Sequence, residues 1–309
     1  MTAEPWIQAN TNGDLHYARE PSLAPLNRAF LYGDSVYEVW RSVDGVLFDW
    51  DEHWSRLHNS AAAIFFRLEW TPSFILSEIK RTAGEYRKHS NQRGDVYVRL
   101  QAFRGGGRIG LDPALASEPG YVILVQAVPL LAQRVLEEGL VLSIAQSLRR
   151  NPLDALNPAW KTGNYLNNLL CLREAKSRGA DDVVILNQSD EIAEASTSNI
   201  AFIKNGRVIT PPLSAGILPG ITRDRILKSV GKSAGLTVEE RAVTPADLPA
   251  MEECFLTSST KDIQPVGAID DHRFPVGEGT ATRRLKQAFA EYALNYAGTH
   301  SDNRLWPED

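Results

Sequence analysis

The sequence predicts a mixed α+β chain. Strand-like runs alternate with segments of helical period along most of its length. The 309 residues, 43% of them hydrophobic, can bury one large or two medium domains. Val128-Pro-Leu-Leu-Ala-Gln-Arg134 breaks the pattern and is the candidate domain linker.

The elements follow in order. Residues 5–50 alternate short apolar strands with turns, and the run from Phe30 to Arg41 is strand-like after Gly33. Asp44-Gly45 signals a hairpin into Val46-Leu-Phe48. Asp51 to Ile64 changes to helical period, with Trp54, Leu57 and Ala61 on one face. Arg56 in this helix reads, on pattern alone, as a solvated charge. Pro72 to His89 is a second helix. Val96 to Phe103 is a strand with Tyr97, Arg99 and Gln101 on one face and Val98, Leu100 and Ala102 on the other.

Gly105-Gly-Gly107-Arg-Ile-Gly110 satisfies GxGxxG, yet Leu111-Asp-Pro113 follows where a dinucleotide fingerprint needs a helix. A glycine-rich loop beside a pocket is the better reading. Gly120 to Ala127 is a buried strand, and Leu140 to Ser147 another. Tyr165 to Arg178 reads as a helix with Leu166, Leu169, Leu170 and Ala175 inward and Gly179 ending it. Val183 to Leu186 is a strand. Asn205-Gly206 joins Ile200–Ile203 to Arg207–Thr210 in a hairpin with a type I′ signal. Pro219-Gly220-Ile-Thr222 opens a helix running to Ala234, which Gly235 ends. Val243 to Met251 connects to a strand at Cys254 and the hydroxyl-rich turn Thr257-Ser-Ser-Thr260. Ala281 to Ala297 is an amphipathic terminal helix.

Composition narrows the function. A net charge of −5 leaves no basic footprint for nucleic acid. The six histidines form no HExxH, so a zinc hydrolase is not indicated, and His53 and His58 read as surface residues. Cys171 and Cys254 sit in apolar runs and read as reduced core residues of a cytoplasmic protein. The first residues lack the regions of a signal peptide, and no apolar run reaches bilayer length.

The chemistry centres on Lys161. It lies in Asn157-Pro-Ala-Trp-Lys161-Thr-Gly-Asn-Tyr165, an aromatic, turn-forming segment that would strip its hydration. Desolvation disfavours an ammonium and favours the nucleophilic amine. Glu194 precedes the hydroxyl-rich Ala-Ser-Thr-Ser-Asn199, so it is a candidate buried acid. Gly220-Ile221-Thr222 at a helix start is a generic anion site, and Thr257 to Thr260 a second cluster of hydroxyls and amides. A lysine prone to deprotonation, a buried acid and a phosphate cradle match what pyridoxal phosphate requires.

From Lys161 to Asp224 these motifs, in this order, closely resemble the class IV aminotransferases that use pyridoxal 5'-phosphate, and the likeness extends from about Leu26 to Gly267. The resemblance implies a two-domain α+β enzyme of fold type IV, similar to D-amino acid aminotransferase. Its smaller domain would span 1–127, its linker 128–135 and its larger cofactor-binding domain 136–309. It implies Lys161 as the Schiff-base lysine and proton shuttle, Glu194 as the partner of the ring nitrogen, and Tyr165 as the partner of the ring oxygen. Arg56, in a Glu-His-x-x-Arg-Leu pattern, resembles the phosphate arginine, with Ile221, Thr222 and Ser259 completing the cradle.

Thr260, Tyr32, Tyr37, Tyr97 and Arg99 match substrate positions, Tyr32 being given across a homodimer whose sites lie at the domain interface. Tyr97-Val-Arg99 and Gly163-Asn-Tyr165 are similar to the branched-chain enzymes, where that arginine takes the distal carboxylate of glutamate. Val36-Tyr37-Glu38-Val is closer to the D-amino acid branch. The resemblance therefore implies an aminotransferase working on an apolar L-amino acid and a 2-oxo acid such as 2-oxoglutarate. The alternatives are an aminodeoxychorismate lyase and a D-amino acid or (R)-amine transaminase.

Overall fold

The computed structural model describes residues 5–90 and 92–307. The chain forms two compact units that are not consecutive stretches. The first comprises residues 1–129 with two later pieces, Trp160–Asn164 and Ala293–Asp309, and the second comprises Leu130–Ala159 and Tyr165–Tyr292.

The first unit is built on an antiparallel sheet. Its strands are β1 (Gln8–Thr11), β2 (Asp14–Tyr17), β3 (Ser35–Val43), β4 (Val46–Leu47), β5 (Val96–Phe103) and β6 (Gly120–Ala127), in the order β2-β1-β6-β5-β3-β4. A short helix α1 (Arg28–Tyr32) precedes β3. Asp44 and Gly45 take φ of 50° and 75°, the positive values a type I′ turn needs between β3 and β4. Helices α2 (Trp50–Ala63) and α3 (Pro72–Ser90) then cover one face of the sheet. That face is apolar because of the period of two along a strand. Val36 and Trp40 of β3 and Val98 and Leu100 of β5 are buried with Leu57 and Ala61 of α2 and Ile75 and Ile79 of α3. The opposite face of β5 carries Tyr97, Arg99 and Gln101, each only partly buried, as the alternation required.

The second unit begins with α4 (Gln133–Glu138) and holds a mixed sheet of β7 (Leu140–Ile144), β8 (Asp182–Leu186), β9 (Ile192–Glu194), β10 (Asn199–Lys204), β11 (Arg207–Thr210), β12 (Thr237–Glu240), β13 (Glu253–Ser258), β14 (Asp262–Ile269) and β15 (His272–Arg273). The order is β12-β11-β10-β13-β14-β7-β8-β9, with β15 on β14, and β9 pairs back onto β10 through Glu194 and Asn199. Helix α5 (Leu166–Ser177) packs on β8. Every residue of β8 is buried, because Val183 and Ile185 face α5 while Val184 and Leu186 join the opposite core. Helix α6 (Ile221–Arg225) runs through a π-helical stretch at Ile226–Val230 into α7 (Gly231–Ser233), so the helix expected from Ile221 to Ala234 is interrupted rather than uniform. Helix α8 (Ala281–Thr299) starts where Glu253 accepts from the backbone N–H groups of Ala281 and Thr282.

Two sequence expectations fail here. Leu166, Leu169 and Leu170 are not inward: they are 67%, 57% and 39% exposed, and α5 buries Asn168, Cys171 and Ala175 instead. Asn168 takes an inward position because its amide has buried partners. His53 is not a surface residue either, being 1% exposed with its ring against Glu38. The glycine-rich stretch is a loop, as expected, followed by a short 3-10 turn at Pro113–Leu115. Among the described residues, no helix is long and apolar enough to cross a membrane.

Candidate active site

Lys161 belongs to the first unit although it is over a hundred residues downstream of β3 in sequence. Its segment lies along that strand. The Tyr37 N–H donates to the Lys161 carbonyl at 3.0 Å, and the Gly163 N–H to the Ser35 carbonyl at 3.0 Å. The Lys161 N–H donates to Ser60 Oγ of α2 at 3.0 Å. Backbone held on both sides aims one buried side chain. Nζ donates to the Tyr37 hydroxyl at 3.3 Å and stands 4.3 Å from that ring's centroid. Among the described residues no carboxylate pairs with this amine. Gly163 is required by the close approach: a Cβ there would come within 2.5 Å of Ser35 Oγ.

Arg99 shares the Tyr37 ring. Its guanidinium carbon is 3.8 Å from the centroid, and Nη2 donates to Gln101 Oε1 at 2.7 Å. Tyr97 lies on the same face of β5, two residues away. Tyr32 is tied to the glycine-rich loop, its hydroxyl accepting from the Gly110 N–H at 3.1 Å while Arg28 stacks on its ring.

Arg56 is buried rather than solvated. Nε and Nη2 reach the two oxygens of Glu38 at 2.7 and 2.9 Å, and His53 Nδ1 lies 2.7 Å from Glu38 Oε2. Burial opposes the ionisation of Glu38, but Arg56 and His53 outweigh it and hold the carboxyl well below the usual range. Burial is also the largest influence on His53. It pushes the imidazole down, against the pull of Glu38, so the ring is neutral near pH 7 and donates from Nδ1.

In the second unit Glu194 ends β9 and is buried. Arg150 Nη2 meets its Oε1 at 2.7 Å, while Asn199 Nδ2 and the Leu218 N–H donate to Oε2, each at 3.1 Å. Arg150 Nη1 donates to Asn168 Oδ1 at 2.7 Å, and Asn168 Nδ2 to the Ser196 carbonyl at 2.8 Å. Tyr165 immediately precedes α5. Gly220 caps α6, which places Ile221 and Thr222, both buried, in its first turn. A Cβ at Gly220 would lie 1.9 Å from Asn199 Oδ1, so this cap has to be glycine. Ser259 and Thr260 form the half-buried turn between β13 and β14. Beside them the hydroxyls of Thr257 and Ser258 are buried with no hydrogen-bond partner among the described residues.

The structure therefore groups Lys161, Tyr37, Arg99, Tyr97 and Arg56 in one unit, and Glu194, Tyr165, Ile221, Thr222, Ser259 and Thr260 in the other. Sequence reading missed Arg150, Glu38 and His53 as parts of these clusters, while Gln101 lies on the strand face that the alternation gave it with Arg99. Glu38 carried a usable signal, since it shares a strand face with fully buried Val36 and Trp40. Arg150 carried none.

Residues 35–269 match the family model described as amino-transferase class IV. A provisionally named branched-chain-amino-acid aminotransferase of Methanocaldococcus jannaschii is 35% identical over 91% of this chain and 94% of its own. The branched-chain-amino-acid aminotransferase of Escherichia coli is 30% identical over 90% of each, and the D-alanine aminotransferase of Bacillus licheniformis 29% identical over 92% and 96%. Among solved structures, a T.th. branched-chain amino acid aminotransferase complexed with N-(5'-phosphopyridoxyl)-L-glutamate superposes with a TM-score of 0.81 at 26% identity, covering 94% of this chain and 96% of the other.

Proposed function

The chain belongs to the class IV aminotransferases, with their two-domain fold type IV architecture, and within that family we propose that it transfers the amino group of a branched-chain or similar apolar L-amino acid to 2-oxoglutarate. The observation that carries this reading is the buried amine of Lys161, held beside a phenol with no carboxylate to neutralise it among the described residues. A buried amine aimed at one point beside a phenol is placed to act as a nucleophile.

The residues fit pyridoxal phosphate. Glu194 is a buried carboxylate flanked by a guanidinium, suited to a protonated ring nitrogen. Thr222 at a helix start, with the unpartnered hydroxyls of Thr257 and Ser258 near the Ser259–Thr260 turn, suits a phosphate. When bound, this cofactor supplies an electrophilic carbonyl and an electron sink. Lys161 would attach it and carry the proton at the substrate α-carbon. Glu194 would keep the ring nitrogen charged, Tyr165 would face the ring oxygen, and Arg56, Ile221 and Ser259 would share the phosphate with Thr222.

Arg99, stacked on Tyr37, would take the distal carboxylate of glutamate in bidentate fashion. Tyr97 would wall the same pocket, and Thr260 would meet the α-carboxylate. The names of the branched-chain relatives and the glutamate adduct of the similar structure support this substrate choice. A homodimer with Tyr32 reaching its partner belongs to the same reading, supported by the exposed leucines of α5. So does a reducing cytoplasmic setting, supported by two buried, unpaired cysteines.

The test begins with borohydride reduction of the loaded protein, after which peptide mapping should find the cofactor on Lys161. Lys161→Ala should lose multiple turnover with L-leucine, and with its D-enantiomer supplied in parallel. Normal turnover by that variant sinks the reading.

A further inference from the structure

Arg99 is held by more than its stack on Tyr37. Gln101 lies opposite Tyr37 in the β3–β5 register. Its Oε1 accepts from Arg99 Nη2 at 2.7 Å, and its Nε2 donates to Ser35 Oγ at 2.6 Å. The amide can sit only one way round. Arginine has no acceptor, so the amide oxygen must face it and the amide nitrogen must face the serine. Ser35 is itself fixed, being 1% exposed with its carbonyl bound to the Gly163 N–H. A Cβ on Gly163 would stand 2.5 Å from Ser35 Oγ and 3.1 Å from Gln101 Nε2, so the amide is wedged under the lysine segment.

We propose that Gln101, backed by Ser35, is the positioning residue that sets specificity for a dicarboxylate, by locking the Arg99 guanidinium in one plane and one rotation. This rests on the reading of Arg99 as the contact for the distal carboxylate. The stack on Tyr37 defines the plane. The bond to Gln101 defines the rotation within that plane. Among the described residues, Nε and Nη1 of Arg99 make no hydrogen bond, which leaves N–H donors for a carboxylate. A guanidinium ordered in advance loses less side-chain freedom on binding, and this advantage is felt only by ligands that carry the second carboxylate. Gln101 acts through Arg99 and touches no substrate.

The experiment uses the cofactor-loaded protein and four variants: Arg99→Met, Gln101→Glu, Gln101→Leu and Ser35→Ala. The activity readout is the ratio of kcat/KM for the glutamate half-reaction to that for leucine, followed by stopped-flow absorbance. The second readout is calorimetric affinity for glutarate against 4-methylpentanoate, which requires no turnover.

Gln101→Glu places a permanent carboxylate on Arg99 and should lower the glutamate-to-leucine ratio by about 100-fold, as mispaired polar groups in a specificity site do. Gln101→Leu should lower it by roughly tenfold, and Ser35→Ala by about threefold, because they loosen the guanidinium without neutralising it. Glutarate affinity should follow the same order, with 4-methylpentanoate moving least. If Gln101→Glu does not fold, Gln101→Leu and Ser35→Ala carry the test. An unchanged ratio in the Gln101 variants, while Arg99→Met loses glutarate, overturns the role of Gln101 and leaves that of Arg99 standing. Equal loss for both donors also overturns it, because Gln101 would then act only through packing on the lysine segment. If glutarate binding is indifferent to Arg99→Met, both inferences fall together.

Discussion

Each unit contains a buried arginine–glutamate pair, and the two pairs are built in opposite senses. In the first unit Glu38 accepts from Arg56 twice, from His53 and from the Val39 N–H, so its lone pairs are engaged from several directions. Its work is to hold an arginine. In the second unit Arg150 gives one nitrogen to Asn168 and another to Glu194, while Glu194 also receives Asn199 and the Leu218 N–H. On the function proposed above, the arginine there is the support and the carboxylate is the group that serves the cofactor. The same ion pair can thus present either partner, and the surrounding donors decide which. A buried pair is in any case weak evidence for stability, because desolvation offsets much of its attraction.

That comparison can be broken by experiment. The largest effect is expected from Glu38→Ala, which strands the buried Arg56 guanidinium. Removing one partner of a buried pair typically costs about 3–5 kcal/mol, which urea unfolding would measure, and a loss below about 1 kcal/mol would mean that Arg56 finds water instead.

Arg150→Met should be milder, about 1–3 kcal/mol, because Glu194 keeps Asn199 and the Leu218 N–H as donors. If Glu194 serves the cofactor ring, this variant should also lower kcat more than it raises KM. The opposite split would assign Arg150 to substrate binding.

The third effect depends on pH. The folded-state pKa of His53 is lowered from 6.5, so below that value the unfolded chain binds the extra proton and stability falls with acidification. Glu38 is lowered from 4.5, and its contribution is lost in turn as pH falls through the carboxylate range. Urea midpoints taken from about pH 8 down to about pH 2, which crosses the histidine window and then the carboxylate range below 4.5, should drop in two stages. His53→Gln should remove the first stage only. An unaltered profile in that variant would assign the first stage to another group.

The smallest effect belongs to the exposed counterpart, Arg149 with Asp190, at 2.8 Å. Asp190→Asn retains a residue tolerant of its φ of 58° and should cost about 0–1 kcal/mol, with salt erasing the difference.

Much of the fold was readable because it depends on local pattern. The alternation of Val96 to Phe103 sorted an apolar face from the one bearing Arg99 and Gln101, and the structure keeps that sorting. Asn205 and Gly206 adopt the positive φ that their turn signal implied. Lys161, Glu194 and the Gly220–Thr222 helix start stood out through residue type and order. The clusters around them did not. Leu166, Leu169 and Leu170 have the spacing of an inward face, yet α5 turns them outward, since burying Asn168 satisfies Arg150 and the Ser196 carbonyl.

Arg149 and Arg150 mark the boundary between the two kinds of information. They are adjacent and chemically identical, and nothing local tells them apart. One meets Asp190 at the surface, and the other is buried against Glu194. Sequence alone marked the candidate reactive side chains and determined which strand faces residues share, because a strand's period and a turn's φ are properties of neighbouring residues. Tertiary structure decided which charges are buried, which donors and acceptors surround each pair, and that the Lys161 segment lies along β3. Those outcomes depend on donors and acceptors brought from distant parts of the chain, and desolvation has no value until that burial exists.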